Sequence, residues 1–433
     1  MVRSRAKGYG PPRMHVAFIT EGLEPYGGRG PAAEICGALP KALKSLDHTV
    51  SVVSPLYRRI DPQDHSLARR LTKIDVEAEG RTWACELYTG RTVSGVLTQF
   101  IGHEELFADI DDIDAGDRGP LRRTVFSAAA AEVLGSLDPE VDVVHAHGEL
   151  GNRALRALGA QTAFAVVLSP HGEALEPAVD AIVVGSAADE ARWPGKRVTA
   201  IAPGIDAATW NPLTDTHLPA RFDPVDLGGK RRCKAEMQRT LGLPVRADVP
   251  LLALDGQGDE LALFVKMASK LLRNDVQIGV LVSENEDGAL VAAYEELWDR
   301  WPDRIQVRTA PDDRLRHQLL AAADFAVLPS AAAVSPAAAM KAQRYGSVPV
   351  VLAQSALAEA VVDVDPRLET GTGIHFAPHE PDALLGATQR ALAAFNEPSF
   401  DALRSRIMRL DHSWDRSARL YERLYASLLE VDE

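Results

Sequence analysis

The chain has 433 residues, of which 46% are hydrophobic and 25% are charged, so it can form two domains that each bury a core. Its formal net charge of −14 disfavours a polyanionic partner, and we predict that it binds neither nucleic acid nor a membrane. The three cysteines, Cys36, Cys85 and Cys233, form no CxxC pair, which is typical of reduced thiols in the cytoplasm. No metal site or cofactor is expected. The basic segment 1–13 lacks an apolar core and predicts a short tail, not a signal peptide.

The first half of the chain alternates between short apolar runs and helical patterns. The run MHVAFIT (14–20) predicts a strand, a Gly- and Pro-rich loop follows, and 32–48 has the spacing of a helix. Further apolar runs stand at 49–57, 141–147, 164–171, 181–187 and 198–205. Because such strands are typically buried on both faces, we predict a parallel sheet and a Rossmann-like domain over 14–211.

The second half repeats the pattern after a polar stretch at 212–250, which we interpret as a linker. Its apolar runs are PLLALDG, VQIGVLVS, DRIQVRT, DFAVLPS, SVPVVLA and GIHFAP. They predict a second Rossmann-like domain over 251–410. Ligands of doubly wound folds bind beyond the carboxyl ends of the strands, so a cleft between the two domains is the expected site.

Three blocks of sequence resemble bacterial glycogen synthases and plant starch synthases. They are VAFITEGLEPYGGRGPAAEICGALPKALKSLDH, PGIDAATWNPLTDTHLPARFDPVDLGGKRRCKAEMQRTLGLP, and the region from AAADFAVLPS through RYGSVPVV to SWDRSARLYERLY. The resemblance implies a GT-B fold, in which two Rossmann-like domains face a cleft and the terminal segment 411–433 packs back on the first domain. It also implies retaining transfer of glucose from ADP-glucose to an α-1,4-glucan without a required metal.

The first motif of this family is a Lys-Thr-Gly-Gly loop that binds phosphate. The residues in its place are Gly28, Arg29, Gly30 and Pro31. The lysine is absent, and Pro31 lacks a backbone N–H. Arg29 could replace the lysine, so Gly28, Arg29 and Gly30 are candidates for an altered or vestigial phosphate loop; a plain tight turn is the alternative.

The second motif is HDWH, which here reads HGEL from His147 to Leu150. Its last histidine contributes near the transferred sugar in the family and has no counterpart in this chain. His147 and Glu149 are therefore the residual catalytic candidates. The alternatives are a structural histidine on a strand and a solvated carboxylate.

The third motif is a phosphate clamp with an arginine and a lysine at the start of the second domain. In this chain it corresponds to Gly256, Gln257 and Gly258, followed by Asp259 and Glu260. Both cations are absent, and the two carboxylates would repel a diphosphate. Gly256 and Gln257 remain as candidates for an altered nucleotide-sugar site, and an acidic helix N-terminus is the alternative.

The fourth motif, RFEPCGLTQ, cradles glucose and diphosphate in the family. The stretch 331–339 of this chain, AAAVSPAAA, replaces it, and Ala333 stands where the glutamate is expected. Alanine keeps helix propensity while it removes every donor and acceptor. Lys341 and Arg344 follow as the nearest cations, so we include them with Ala333 in the altered or vestigial site.

Three hypotheses follow from these losses. The first is a glycogen-synthase-like protein with impaired catalysis and a regulatory, glucan-binding or structural role, whose partner is a nucleotide-sugar, an α-glucan or another protein. The alternative is an active retaining glycosyltransferase that moves glucose or another hexose from an ADP-glucose-type donor to an α-glucan. In it Arg29, His147, Glu149, Lys341 and Arg344 would take new roles. The third is a scaffold whose outer surface mediates homo-oligomerisation.

Overall fold

The computed structural model describes residues 13–28, 30–158, 164–171, 179–283, 286–333 and 335–430. It divides into two units: the first runs to Pro203 and resumes at Trp414, and the second spans Gly204–Ser413. The strands are β1 (His15–Ile19), β2 (Thr49–Pro55), β3 (Ala68–Arg69), β4 (Ile74–Ala78), β5 (Arg81–Arg91), β6 (Leu97–Gly102), β7 (Val143–His147), β8 (Ala165–Ser169), β9 (Ala181–Val184), β10 (Val198–Ala200), β11 (Leu251–Gly256), β12 (Gln277–Val282), β13 (Ile305–Thr309), β14 (Phe325–Leu328), β15 (Val348–Leu352) and β16 (Ile374–Phe376).

Helices separate most of these strands. They are α1 (Pro31–Ser45), α2 (Gly119–Gly135), α3 (Gly148–Leu158), α4 (Gly228–Leu241), α5 (Asp259–Leu271), α6 (Gly288–Arg300), α7 (Asp313–Ala322), α8 (Ala337–Arg344), α9 (Pro381–Phe395), α10 (Phe400–Met408) and α11 (Trp414–Leu429). None of the helices within the described ranges is long and apolar enough to cross a membrane.

The sheet of the first unit has the order β10-β9-β8-β7-β1-β2-β6-β5-β3, and β4 pairs with β5 beside this path. The strands from β10 to β6 are parallel, which confirms the parallel sheet expected from the apolar runs. Strand β5 is antiparallel to β6, β3 and β4. This antiparallel extension was not predicted, because β4 buries only alternate residues and lacks the continuous apolar run of a central strand.

The sheet of the second unit has the order β13-β12-β11-β14-β15-β16, and all its neighbouring pairs are parallel. The stretch 212–250, interpreted from sequence as a linker, contains α4 and lies within this unit. Its polar composition conceals a packed helix, because Lys230, Lys234 and Gln238 of α4 are themselves buried and hydrogen-bonded. Polar side chains can be buried in a domain when they have hydrogen-bond partners, so a polar stretch of sequence does not by itself mark a domain boundary.

Helix α11 belongs to the first unit although it ends the chain. Its Trp414, Tyr421 and Tyr425 lie in one buried cluster with Leu39 and Leu43 of α1. The side chain of His48, which precedes β2, lies 2.9 Å from Glu422 of α11. The last helix therefore completes the core on one face of the first sheet.

Candidate functional site

The carboxyl ends of the parallel strands mark the candidate site in each unit. In the first unit, β1 leads into the glycine-rich loop, β7 into α3, and β8 into Pro170 and His171. In the second unit, β11 leads into the Gly256–Gly258 turn and β14 into the alanine-rich stretch before α8. These are the positions at which the sequence departs from the family motifs.

The glycine-rich loop of the first unit is a tightly packed turn before α1. A Cβ atom on Gly28 would lie only 2.4 Å from the backbone nitrogen of Leu23, so this position requires glycine for packing. Gly30 has φ of 86° and precedes Pro31, the first residue of α1. Arg29 lies outside the described residues. The geometry of Gly28 and Gly30 supports the tight-turn alternative, because packing and the left-handed backbone account for both glycines.

Three histidines cluster at the carboxyl ends of β7 and β8: His145 and His147 lie in β7, and His171 follows β8. The Nδ1 atom of His145 lies 2.7 Å from the hydroxyl of Tyr425, and its Nε2 atom lies 2.8 Å from Oγ of Ser169. His147 is also buried, and its Nδ1 lies 2.8 Å from Nε2 of His171. Nε2 of His147 has no hydrogen-bond partner among the described residues. It is therefore a buried polar atom of this cluster that lacks a partner in the described part of the chain.

Burial keeps these imidazoles neutral. It lowers the pKa of His145 to about 3 and that of His171 to about 4. For His147, burial and then the neighbouring histidines hold the pKa well below its ordinary value. The cluster cannot supply positive charge to a diphosphate near neutral pH. Within the described ranges, no group of three or more His, Cys, Asp or Glu side chains is placed to hold a metal ion.

Glu149, the other catalytic candidate, is held in an ion pair at the start of α3. Its Oε1 accepts hydrogen bonds from Nε of Arg153 at 2.8 Å and from Nη2 at 2.6 Å, and Arg123 lies 3.8 Å away. The bond from Arg153 is the main reason why its pKa is lowered. An ionised, paired carboxylate is a poor proton donor, so Glu149 is not set up as a general acid.

The turn after β11 brings together carboxylates where the family clamp has cations. The N–H of Gly258 donates to Oε2 of Glu286 at 2.8 Å. Glu260 folds over Gly256, since a Cβ atom there would lie 2.6 Å from its Oε2. Burial raises the pKa of Glu260, although a hydrogen bond from Ser330 opposes the rise. The chain's own acidic side chains thus take up donors that a phosphate would need. Gln257 is exposed within this turn.

A cation from α7 reaches this edge of the sheet, and it is already paired. Arg316 of α7 forms an ion pair with Asp255, the residue before Gly256. Burial raises the pKa of Asp255, and Arg316 and then Lys341 oppose the rise. Nζ of Lys341 lies 4.4 Å from the centre of the Trp210 ring. Arg316 was missed in the sequence because it lies in no family motif and meets Asp255 across 61 positions.

The alanine-rich stretch before α8 supplies no polar side chain at the expected glutamate. Ala333 packs against a small buried cluster that includes Ala339, Val351 and Leu357. Arg344, predicted with Lys341 as a site cation, donates from Nη1 to the carbonyl of Met408 at 3.3 Å. Arg344 therefore contributes to packing within the unit. Of these two cations, Lys341 is the one that interacts with Asp255 at the sheet edge.

Comparison with known proteins identifies close relatives along nearly the whole chain. Residues 15–150 match the family of the starch synthase catalytic domain. A glycogen synthase from Anaeromyxobacter sp. (strain Fw109-5) is 33% identical over 96% of this chain and 99% of the relative. A glycogen synthase from Anaeromyxobacter dehalogenans (strain 2CP-C) is 32% identical over 96% of this chain and 100% of the relative.

Solved structures agree on the fold. The catalytic domain of starch synthase IV from Arabidopsis thaliana, bound to ADP and acarbose, matches with a TM-score of 0.85 at 20% identity, covering 96% of this chain and 100% of that chain. Sucrose-phosphate synthase from Thermosynechococcus elongatus matches with a TM-score of 0.65 at 17% identity, covering 97% of this chain and 100% of that chain. These matches confirm the predicted GT-B fold class.

Proposed function

Because this chain belongs to the glycogen synthase family of glycosyltransferases, we propose that it acts in α-glucan metabolism with impaired transfer from ADP-glucose. In this proposal the family scaffold is kept for a regulatory, glucan-binding or structural role. The partner is an α-glucan or another protein of glycogen metabolism.

The observation that carries the proposal is the acidic turn after β11. Glu286 accepts the hydrogen bond of the Gly258 N–H, and Glu260 covers Gly256. A diphosphate placed there would meet these carboxylates without the arginine and lysine of the family clamp. Losing one preorganised group that stabilises transition-state charge costs about two to three decades in rate. The alanines at 331–333 remove further groups, so little catalysis is expected to remain.

A second candidate function is active glycosyl transfer from an ADP-glucose-type donor to an α-glucan. Relatives that align over 96% of this chain carry the name glycogen synthase, which favours this candidate. It would draw on the residues that still carry charge or a free polar atom near the sheet edges. Arg316, Lys341 and Nε2 of His147 are such groups, and Arg29 is a further cation of the sequence.

Calorimetric titration with ADP and with ADP-glucose distinguishes the two candidates. The purified chain is expected to show no saturable binding tighter than about 1 mM, equivalent to about 4 kcal/mol. The glycogen synthase of Anaeromyxobacter sp. serves as the positive control under the same conditions. Transfer of labelled glucose to glycogen is measured in parallel, and co-sedimentation with glycogen tests the glucan-binding role.

Saturable nucleotide binding together with glucose transfer would refute the proposal and support the second candidate. Arg316→Ala and Lys341→Ala would then be expected to reduce transfer, whereas Lys270→Ala, which removes an exposed lysine on α5, would leave it unchanged. Absence of nucleotide binding with retention on glycogen would support the proposed non-transferring role. If neither nucleotide binding nor retention on glycogen is observed, the role that remains within the proposal is binding to another protein.

A further inference from the structure

A cavity of about 310 Å³ lies in the second unit, at the end of the sheet opposite the candidate donor site. Its lining includes α4, Asp324 immediately before β14, and the segment that joins α9 to α10. Since Asp324 precedes its strand, this cavity is at the amino ends of the strands, whereas the candidate donor site follows their carboxyl ends. The volume falls within the range of small-molecule sites.

Charged side chains that are almost fully buried line this cavity. Lys234 is 6% exposed, and its Nζ lies 2.8 Å from Oδ2 of Asp324 and 2.6 Å from the carbonyl of Val249. Arg404 is 7% exposed and pairs with Asp324 through Nη2. Arg404 also lies 3.2 Å from Asp401, which in turn pairs with Arg231 at 3.0 Å. Asp324 and Asp401 are therefore each shared between two cations.

Two further groups add buried hydrogen-bond donors beside these pairs. Lys230 is 2% exposed, and its Nζ donates to the carbonyls of Ala321 and Tyr345, both at 2.9 Å, rather than to a carboxylate. Nε of Arg404 is buried without a hydrogen-bond partner among the described residues. A buried N–H without an acceptor is destabilising, so an acceptor in the cavity would be stabilising.

The charge count of the lining points in the same direction. The lining carries four basic residues, Lys230, Arg231, Lys234 and Arg404, against three acidic ones, Asp324, Glu397 and Asp401. Burial, followed by repulsion from Arg404, holds the pKa of Lys230 well below its ordinary value. An anion bound in the cavity would favour the charged form of Lys230, because it places a negative charge beside the ammonium group.

Aromatic and apolar side chains form most of the rest of the wall. Phe395 and Phe400 contribute rings, and Val245, Ala247 and Pro398 lie beside them. We propose that this cavity binds a small organic anion, with one phosphate or carboxylate group held by the basic residues and a compact ring against the phenylalanines. Both anionic groups accept charge-assisted hydrogen bonds from arginine and lysine, so the shared chemistry is that of a ring-bearing monoanion or phosphate monoester.

Calorimetry with phenyl phosphate, benzoate and inorganic phosphate tests this site on the full chain. Phenyl phosphate or benzoate is expected to bind in the millimolar range or tighter, and inorganic phosphate at least threefold more weakly because it lacks a ring. The stronger of the two ring-bearing probes identifies the preferred anionic group. Binding of the preferred probe should weaken as salt is raised, since ions screen the attraction at the cavity mouth.

Substitutions locate the binding. Ala235→Leu extends a side chain of the lining and is expected to weaken the preferred probe at least tenfold. Ala393→Leu makes the same change at an exposed position of α9 outside the lining, and it should leave binding unchanged. Arg231→Gln removes a basic group whose side chain is 67% exposed, so it tests the charge without disturbing the core.

We expect Arg231→Gln to weaken the probe about threefold or more and to keep the thermal midpoint of the parent chain. This variant decides the matter if Ala235→Leu fails to fold. The proposal is overturned if no ring-bearing probe binds at concentrations up to about 10 mM. It is also overturned if Ala235→Leu and Ala393→Leu bind the probe equally, or if Arg231→Gln binds it as tightly as the parent chain does.

Discussion

Replacement of Asp324 by asparagine is expected to lower the free energy of unfolding by about 3–5 kcal/mol, the usual effect of removing one partner from a buried ion pair. The carboxylate is 2% exposed and faces Arg404, Lys234 at 2.8 Å, and the N–H of Leu251 at 2.7 Å. Burial alone would raise its pKa, but Arg404 and Lys234 outweigh that effect and the pKa is lowered. Asparagine would remove the carboxylate that pairs with buried Lys234, and it would leave buried Arg404 with the half-exposed Asp401 as a partner.

Urea unfolding, with the midpoint and the slope fitted separately for the parent and the variant, measures this change. Asp382→Asn is the matched control, because Asp382 also pairs with a lysine, Lys270 at 2.8 Å, but its side chain is 81% exposed. Exposed ion pairs contribute about 0–1 kcal/mol, so the control should remain close to the parent. Equal losses in the two variants would contradict the role assigned to Asp324.

Acidification from pH 7 to pH 4 is expected to destabilise the first unit through its buried histidines. The pKa of His145 in the folded chain is about 3, below the ordinary value of 6.5, so the unfolded chain binds more protons between these values. Stability is therefore fully present above about pH 6.5 and is lost as the pH falls toward 3. Each pH unit in this window costs about 1.4 kcal/mol, which gives about 3 kcal/mol for His145 by pH 4.

His145→Gln tests this expectation, because glutamine keeps polar atoms near Tyr425 and Ser169 but does not titrate. The free energy of unfolding of both proteins is measured at several pH values from 7 to 4. Carboxylates titrate in both proteins, so their contribution cancels in the difference. The parent should lose about 3 kcal/mol more than the variant over this range. Parallel pH profiles would show that His145 does not remain neutral in the folded state.

Much of the fold was predictable because parallel strands buried on both faces read as continuous apolar runs. The runs at 14–20, 49–57 and 141–147 became β1, β2 and β7, and those of the second half became its parallel sheet. The prediction failed where burial follows another pattern. Strand β4 buries alternate residues, and α4 buries lysines whose partners lie far along the chain.

The sequence by itself determined which chemical groups this protein lacks at the motifs of its family. Gly28 stands where the family has a lysine, and Ala333 stands where it has a glutamate. Both losses are evident from residue type alone. Only the tertiary structure decided what the remaining groups do. Glu286 meets the Gly258 N–H across 28 positions and Arg316 meets Asp255 across 61, because folding brings distant loops to one sheet edge. Hydrogen bonding and burial depend on such long-range neighbours, and no local pattern encodes them.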